Sequence, residues 1–461
     1  MRNITLLTLL SVLYSTLSGG ISFAGSDLSA TFTRIQARNA STGIDAIYYN
    51  PASLPGLGRG LFISLNSSTL RGSSTITSTY TPLSPSPKEY RGEITSPLLP
   101  DISLVLSGRR VSLSAGINSM GGGKRLYHNG TPRLEMPIPD MVKVLSERGY
   151  PVSDYSSDLF LGISERRCTY QANISFIINN IISAAAGVRM VTATDIYDGH
   201  IMDIKADPVH PEHNPAGSMI TVSDFSNRAG HHDIAEISAN RNIDAEQWGR
   251  AVTPLLSLSI SPSDIIDIAL RYHLRGKMRL TNRIDEGNDV GTDLQGTPLF
   301  PYNSQAVSYI PAMLAAGFTI SLPFRTTLSG SVSHHFSTGE EDKVRQEYSL
   351  LHYYDSRTEL GLGAELGIIP GISLSAGWLN RIAHNNLRSN LLFPPGSHSL
   401  GGGIGVAITP LVNLNIAISR TYGKPYRAEF NDTQQASYLY SETYTGRATT
   451  FAFGLDILLG L

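Results

Sequence analysis

Much of the second half of the chain alternates an apolar residue with a small or polar one. Between residues 400 and 408, Leu400, Ile404 and Ile408 fall on one face, and glycines fall on the other. Residues 412–419 repeat this pattern after a short turn, and residues 451–459 repeat it near the C-terminus. A period of two is typical of a β-strand whose faces meet different environments. The pattern therefore predicts a series of antiparallel strands.

The charged residues of these strands lie on one face only. In residues 266–275, Asp267, Arg271 and Arg275 alternate with aliphatic side chains. A Lys or Arg that faces lipid at the bilayer midplane costs about 2–4 kcal/mol, so the charged face must line a lumen. This arrangement indicates an all-β transmembrane antiparallel barrel. A soluble propeller or sandwich is the alternative, but its strands would pack both faces, and no repeat of about 40–50 residues is present.

The spacing of the alternating segments predicts about fourteen strands. Short turns separate some of them, and long connections separate the others, which is the typical order of an outer-membrane barrel. The longest connections are about 120–167 and 195–247. The predicted strands lie near residues 60–71, 97–107, 109–119, 168–178, 181–194, 248–260, 263–281, 309–321, 324–336, 357–368, 371–382, 396–408, 411–423 and 446–461.

Residues 1–24 have the pattern of a secretory signal peptide. Arg2 precedes an apolar run from Ile4 to Leu17, and Ala24 ends a small-residue cleavage site. No later run of about 18–20 apolar residues offers a membrane helix. We therefore expect an exported protein of the Gram-negative outer membrane, with the barrel over residues 60–461.

Composition narrows the function classes. Charged residues make up 16% of the chain, below the roughly 25% of soluble domains, and the net charge is -2. This balance gives no basis for nucleic-acid binding. The single Cys168 excludes a disulfide framework or a Cys-rich metal fold. A barrel with one lipid-facing surface accounts for the low fraction of charged residues.

The segment before the first strand, residues 25–59, has mixed polarity and an apolar cluster, which predicts a plug inside the barrel. It contains Asp45-Ala46, followed by Tyr49-Asn50-Pro51-Ala52 and Leu54. This run resembles the hatch motif of the FadL/TodX family of outer-membrane transporters for long-chain fatty acids and hydrocarbons. The motif covers about ten residues, and the architecture agrees over the whole chain.

The resemblance implies uptake of a long-chain fatty acid or another hydrophobic small molecule by loop capture, binding in the lumen and passage past the hatch. It assigns hatch roles to Asp45, Asn50, Pro51 and Ala52. The final residue, Leu461, departs from the aromatic residue that ends many such barrels. A FadL-like component of a secretion or surface-assembly machinery, or a general porin, therefore stays open as an alternative.

The 120–167 connection is the candidate capture loop. A helix that begins near Pro139-Asp140 would place Met141, Val142 and Leu145 on one face, with Phe160 nearby in the chain. These apolar residues are predicted ligand contacts. The alternative is that they only pack the loop onto the barrel rim.

Arginines of the lumen face are the candidate head-group ligands, because a guanidinium can hold a carboxylate bidentately. The alternative is a structural network with the acidic residues Glu359, Glu365, Asp267 and Asp456. The predicted ligands are Arg189, Arg271 and Arg275, and the alternation places Arg325 on the same face.

The sequence gives little support for catalysis. His210, His213 and the His231-His232-Asp233 run lie in a long polar connection without a second ligand set, and no nucleophile elbow is present. We therefore expect no enzymatic activity, no metal and no cofactor. The expected partners are the hydrophobic ligand and outer-membrane lipid, and the expected state is a monomer.

Overall fold

The computed structural model describes residues 29–80, 87–283, 305–336, 356–384, 395–432 and 438–459. The strands of this part form one antiparallel sheet. They are β1 Gly60–Ser78, β2 Lys88–Ser107, β3 Val111–Tyr127, β4 Tyr155–Ile177, β5 Ile182–Ala206, β6 Ile220–Thr221, β7 Arg241–Ser263, β8 Ile266–His273, β9 Gly276–Arg283, β10 Gln305–Ile310, β11 Met313–Leu322, β12 Thr326–His335, β13 Arg357–Ile369, β14 Ile372–Ala383, β15 Ser397–Thr409, β16 Val412–Gly423, β17 Tyr426–Asp432 and β18 Tyr438–Leu459.

The sheet closes on itself, because β1 pairs with β18 from Leu61–Leu459 to Ser78–Glu442. Three pairs of segments (β8–β9, β10–β11 and β16–β17) each follow one path through the wall, and β6 adds two residues to β5. The described residues therefore form fourteen wall strands, and the predicted barrel is confirmed. Antiparallel closure leaves no free sheet edge for other chains to pair with.

The two ends of the barrel differ. The short-turn end carries brief connections at 108–110, 178–181, 264–265, 323–325, 370–371 and 410–411. The long-loop end carries the other connections. No helix in the described ranges is long and apolar enough to cross a membrane.

An apolar belt surrounds the half of the barrel next to the short turns. Leu400 and Ile408 are 56% and 58% exposed on the outside, whereas Ser399 on the inner face is 2% exposed. Phe451 and Ala452 show the same contrast on β18. The predicted orientation of the alternating strands, apolar outward and polar inward, is therefore confirmed in this half.

Several strands run farther toward the long-loop end than predicted, so the long connections shorten to 128–154 and 207–240. In these extensions the alternation reverses. Leu159, Leu161 and Tyr197 face inward and are buried, while Asp158 is exposed on the outside. The reversal is expected where the outer face meets water and the inner face packs on loops. A search for apolar-outward strands misses such segments.

Helices occur before β1 and in the two long connections. Those before β1 are α1 Ala30–Ile35, α2 Ala46–Tyr49 and a 3₁₀-helix over Pro51–Leu57. The 128–154 connection holds α3 Pro132–Glu135 and α4 Pro137–Glu147, and the 207–240 connection holds α5 Val222–Arg228 and α6 His232–Ile237.

Candidate functional site

Residues 29–57, called here the N-terminal segment, lie within the ring of strands. Side chains of this segment and of the wall join them on opposite sides of the lumen. The Asn39 amide donates to Ser333 Oγ on β12 at 2.9 Å, and the Gln171 amide on β4 donates to the Ile47 carbonyl at 2.6 Å. Residues 1–24, predicted as a signal peptide, lie outside the described residues.

A buried ion pair fixes the turn between α1 and α2. Arg38 donates from Nε to Asp45 Oδ2 at 2.7 Å and from Nη2 to Asp45 Oδ1 at 2.6 Å. Ser41 donates its hydroxyl to the same Oδ1 at 2.6 Å. The paired side chains are 15% and 8% exposed. Asp45, the first residue of the hatch motif, therefore holds the fold of the segment.

The other motif residues pack on the wall of β4 and β7. Asn50 is fully buried, and its amide lies 3.3 Å from Ser259 Oγ and accepts from Ser257 Oγ at 3.3 Å. The Pro51 carbonyl accepts from Ser175 Oγ at 2.6 Å, and Ala52 is fully buried. The motif thus serves as a contact between the segment and the barrel.

Glycines on the inner faces of β11, β13, β14 and β15 make a flat seat for α1 and the residues after it. A Cβ added at Gly377 would lie 1.9 Å from the Ile35 carbonyl oxygen, and one at Gly401 would lie 2.2 Å from that of Thr33. Only glycine permits such an approach between two backbones. We call this seat the glycine wall, and its members are Gly317, Gly361, Gly363, Gly377 and Gly401.

A group of basic side chains lines the lumen beside the N-terminal segment. Glu359 accepts from Arg381 Nε at 3.2 Å and lies 3.2 Å from Arg357 Nη2. His273 lies within electrostatic range of Arg189, Arg271 and His335. We call this group the cationic cluster: Arg189, Arg271, His273, His335, Arg357 and Arg381.

The structure thus brings together two of the three predicted head-group ligands. Arg189 is 7% exposed and donates to Gln171 Oε1 at 2.9 Å, and Arg271 is 4% exposed. Just above Arg189, toward the long-loop end, the lumen wall becomes apolar. This patch consists of Val191, Ala193, Ala251 and Met278.

Arg275 does not lie in the lumen, which corrects the prediction. The ladder with β7 gains one residue between the pairs Leu255–His273 and Arg250–Arg279, a β-bulge that shifts the alternation. Arg275 is therefore exposed on the outside, with its guanidinium 3.9 Å from the ring centre of Tyr309. The prediction that Arg325 faces the lumen is also wrong, because Arg325 is exposed in the 323–325 turn.

A cavity lies between the N-terminal segment and the cationic cluster. The segment contributes Phe32 and Tyr49, whose rings stack at 5.5 Å. The wall contributes Arg271 and Glu359, together with Leu379. The cavity is therefore lined by aromatic and aliphatic side chains together with charged ones.

The predicted loop helix is confirmed as α4, but its apolar face is covered. Met141 and Leu145 are 5% and 0% exposed, and Val142 packs on the same cluster. We call this cluster, which fills the long-loop end of the barrel, the dome. Phe160 lies on the opposite face of β4, where its ring approaches those of His128 and His200.

The loop histidines belong to the outer surface of the dome. His231 lies 3.0 Å from the Tyr150 hydroxyl, and the His210 ring stacks on His213 at 4.4 Å. Among the described residues, no group of three or more His, Cys, Asp or Glu side chains is arranged to hold a metal ion.

An ion pair joins α4 to α6 on this surface and makes the dome sensitive to acid. Arg148 donates to both oxygens of Asp233, at 3.0 and 2.6 Å, which lowers the pKa of Asp233 to about 2. Since this value lies below the unfolded one, near 4, the stabilisation is present above about pH 4 and is lost as pH falls toward 2.

We therefore expect Asp233→Asn to speed amide exchange in residues 222–237 at pH 5 relative to the unsubstituted protein. The ratio of the two exchange rates should approach one near pH 2. Asp224→Asn, an exposed acid on α5 that contacts Thr221, is the matched control. A ratio that does not change with pH would contradict the role of the ion pair.

The pairing of β2 with β3 is interrupted. Their ladder stops at Thr95–Lys124 and resumes at Asp101–Asn118. Pro97 and Pro100 lie in this gap and have no N–H to donate. Leu98 is 65% exposed on the outer side of the gap. This stretch is therefore less strongly bonded than the rest of the wall.

Comparison with solved structures identifies the fold. A FadL homologue from Pseudomonas aeruginosa matches with a TM-score of 0.64 at 13% identity, over 94% of this chain and 98% of that one. The Pseudomonas putida toluene transporter TodX matches with a TM-score of 0.53 at 12% identity, over 91% of this chain and 95% of that one. The Ralstonia pickettii toluene transporter TbuX matches with a TM-score of 0.52 at 14% identity, over 94% of this chain and 99% of that one. The chain has the fold of these transporters.

No family model matches the sequence, and no curated protein matches it. At such low identity the likeness concerns the barrel and its connections. The residues that would select a ligand have to be inferred from the structure of this chain itself.

Proposed function

We propose that the protein is an outer-membrane transporter that takes up long-chain fatty acids or similar amphipathic acids. The observation that carries the proposal is the cationic cluster, placed between an apolar lumen patch and the cavity beside the N-terminal segment. The solved structures of the same fold are described as a FadL homologue and as toluene transporters, which supports a hydrophobic cargo.

The apolar belt supports the membrane location. The large side chains at its surface, such as Leu362 and Phe453, are 55% and 52% exposed, an arrangement that is stable in lipid and costly in water. With the long loops outward and the short turns in the periplasm, the lumen would connect the two sides. A general porin is less well supported, because the N-terminal segment contacts the wall on opposite sides.

The proposed route has three stages. The dome, which contains Met141 and Leu145, would open to admit the apolar part of the ligand. The chain would then lie on the lumen patch around Val191, with its carboxylate against Arg271. Release would follow a movement of the N-terminal segment, or sideways passage at the β2–β3 discontinuity beside Leu98.

The head-group assignment can be tested with Arg271→Gln. Removing a hydrogen bond to a charged group costs about 1.5–3 kcal/mol, so we expect oleate to bind about ten- to a hundredfold more weakly. Oleyl alcohol, which has the same chain and no charge, should bind the variant as it binds the unsubstituted protein. Both dissociation constants can be measured by calorimetry on the purified barrel in detergent.

Arg325→Gln is the matched control, since Arg325 is exposed in a short turn far from the cationic cluster. It should leave both dissociation constants unchanged. If Arg271→Gln weakens oleate and oleyl alcohol equally, Arg271 shapes the pocket without binding the carboxylate. If neither ligand binds the unsubstituted protein, the transport proposal is wrong.

A further inference from the structure

Basic side chains cluster on the outside of the barrel, on β7, on β9 and just before β9, at the edge of the apolar belt nearest the long loops. We call them the outer basic patch: Arg250, Arg275, Lys277, Arg279 and Arg283, all of which are exposed. The bulge that moves Arg275 out of the lumen also places Lys277 and Arg279 on this face. The patch therefore follows from the register of β9.

The register sets like charges opposite each other. Arg250 pairs with Arg279 across the β7–β9 ladder, and like charges in this position are destabilising. In the part of the chain that the structure describes, neither of them, nor Lys277, forms an ion pair with a carboxylate. Glu246 lies opposite Arg283, farther toward the long loops. Among the described residues, no carboxylate therefore pairs with the centre of the patch.

The surroundings of the patch point to a lipid head group. Next to it in the belt, Val252, Tyr272 and Leu274 are 55%, 40% and 39% exposed. The guanidinium of Arg283 lies 5.1 Å from the ring centre of Trp248. Aromatic and basic side chains together mark the level of the membrane–water interface.

We propose that the outer basic patch binds the phosphate groups of a phosphorylated glycolipid in the outer leaflet. The orientation rests on the proposed function, which places the long loops outside the cell. Arg250 and Arg279 present forks that fit phosphate oxygens bidentately, and Lys277 adds a third positive charge. The exposed aliphatic side chains beside them would contact the acyl chains. A diphosphorylated head group would relieve the repulsion between the paired arginines.

The test is native mass spectrometry of the full chain in detergent, with lipid A, which carries two phosphates, and with phosphatidylethanolamine as probes. For the triple variant Arg250→Gln/Lys277→Gln/Arg279→Gln, we expect the apparent dissociation constant for lipid A to rise at least about tenfold. This change corresponds to about 1.4 kcal/mol. The control is Arg59→Gln/Arg109→Gln/Arg110→Gln, which removes the same charge from exposed positions at the short-turn end. It should retain lipid A fully.

Equal retention of lipid A by both triple variants would overturn the proposal. Binding of pyrophosphate, which carries phosphates but no acyl chains, distinguishes a site for free phosphate from a site for lipid. If it binds the patch as tightly as lipid A, the lipid assignment is wrong, and if it binds more weakly, the acyl chains contribute as proposed. Heat-modifiable mobility on gels confirms that each variant folds.

The two proposals fail separately. The triple variant of the patch should still bind oleate, because none of its residues lies in the lumen. Arg271→Gln should still retain lipid A. Loss of lipid A retention with oleate binding intact would support the patch whatever the outcome for transport.

Discussion

Replacing Gly377 by leucine is expected to open the lumen while the barrel stays folded. The new Cβ would lie 1.9 Å from the Ile35 carbonyl oxygen and 2.2 Å from its carbon, and neither backbone atom can move without the rest of α1. Overpacking of about 1–3 kcal/mol would raise the population with a displaced segment by about fivefold to a hundredfold. Ion conductance in planar bilayers and protease cleavage near Gln36 measure the displacement.

Gly402→Leu is the matched control for this substitution. Gly402 lies on β15, the strand paired with β14, but its Cβ would point outward and meet only the Ser375 carbonyl at 3.4 Å. A leucine there would join the apolar belt, so we expect the conductance of the unsubstituted protein. If Gly377→Leu also leaves conductance and cleavage unchanged, the glycine wall does not hold the segment in place.

These glycines show how far the sequence predicts the site. The alternation of residues 400–408 correctly places Gly401 on the inner face and Leu400 outside, because a period of two fixes the face of every residue in an unbroken strand. It does not reveal that the Thr33 backbone lies against Gly401. That contact joins residues far apart in the chain, so the residue pattern of a single strand cannot predict it.

The arginines show where the prediction fails. Arg271 and Arg275 are four residues apart and share a face in any regular strand, yet the bulge after His273 separates them. Pro311 on the neighbouring path, between β10 and β11, is the one local signal of such a break, because it cannot donate to a ladder. The pairing of Arg381 with Glu359 was equally hidden, since it depends on the strand register of β13 and β14.

The hatch motif, by contrast, is recognised from the sequence because it resembles that of a known family, although the contacts of Asn50 and Pro51 with β4 and β7 join residues far apart in the chain. Arg38, Ser41 and Asp45 lie within one turn of chain, and their contacts follow from that spacing once the turn forms. The resemblance identifies Asp45 as a motif residue, and the structure adds that Asp45 neutralises the guanidinium of Arg38, which the sequence analysis did not single out. This addition turns a motif residue into a measurable contribution to the stability of the segment.

Asp45→Asn is accordingly expected to unseat the N-terminal segment. Breaking a buried pair by removing one partner costs about 3–5 kcal/mol, because Arg38 would stay buried without its counter-charge. The free energy of local opening can be measured by native-state amide exchange at Asn50, whose N–H donates to the Ala46 carbonyl at 2.8 Å. We expect it to fall by about this amount, and Asp224→Asn on the exposed α5 should leave it unchanged.

The double variant Arg38→Gln/Asp45→Asn distinguishes loss of the pair from general damage to the segment. With both charges removed, no guanidinium is left at position 38 without its counter-charge, so we expect the double variant to be more stable than Asp45→Asn alone. The difference between the double variant and the sum of the single variants gives the coupling energy of the pair. Strict additivity would show that Arg38 and Asp45 act independently, and the ion pair would then not be what seats the segment against the wall.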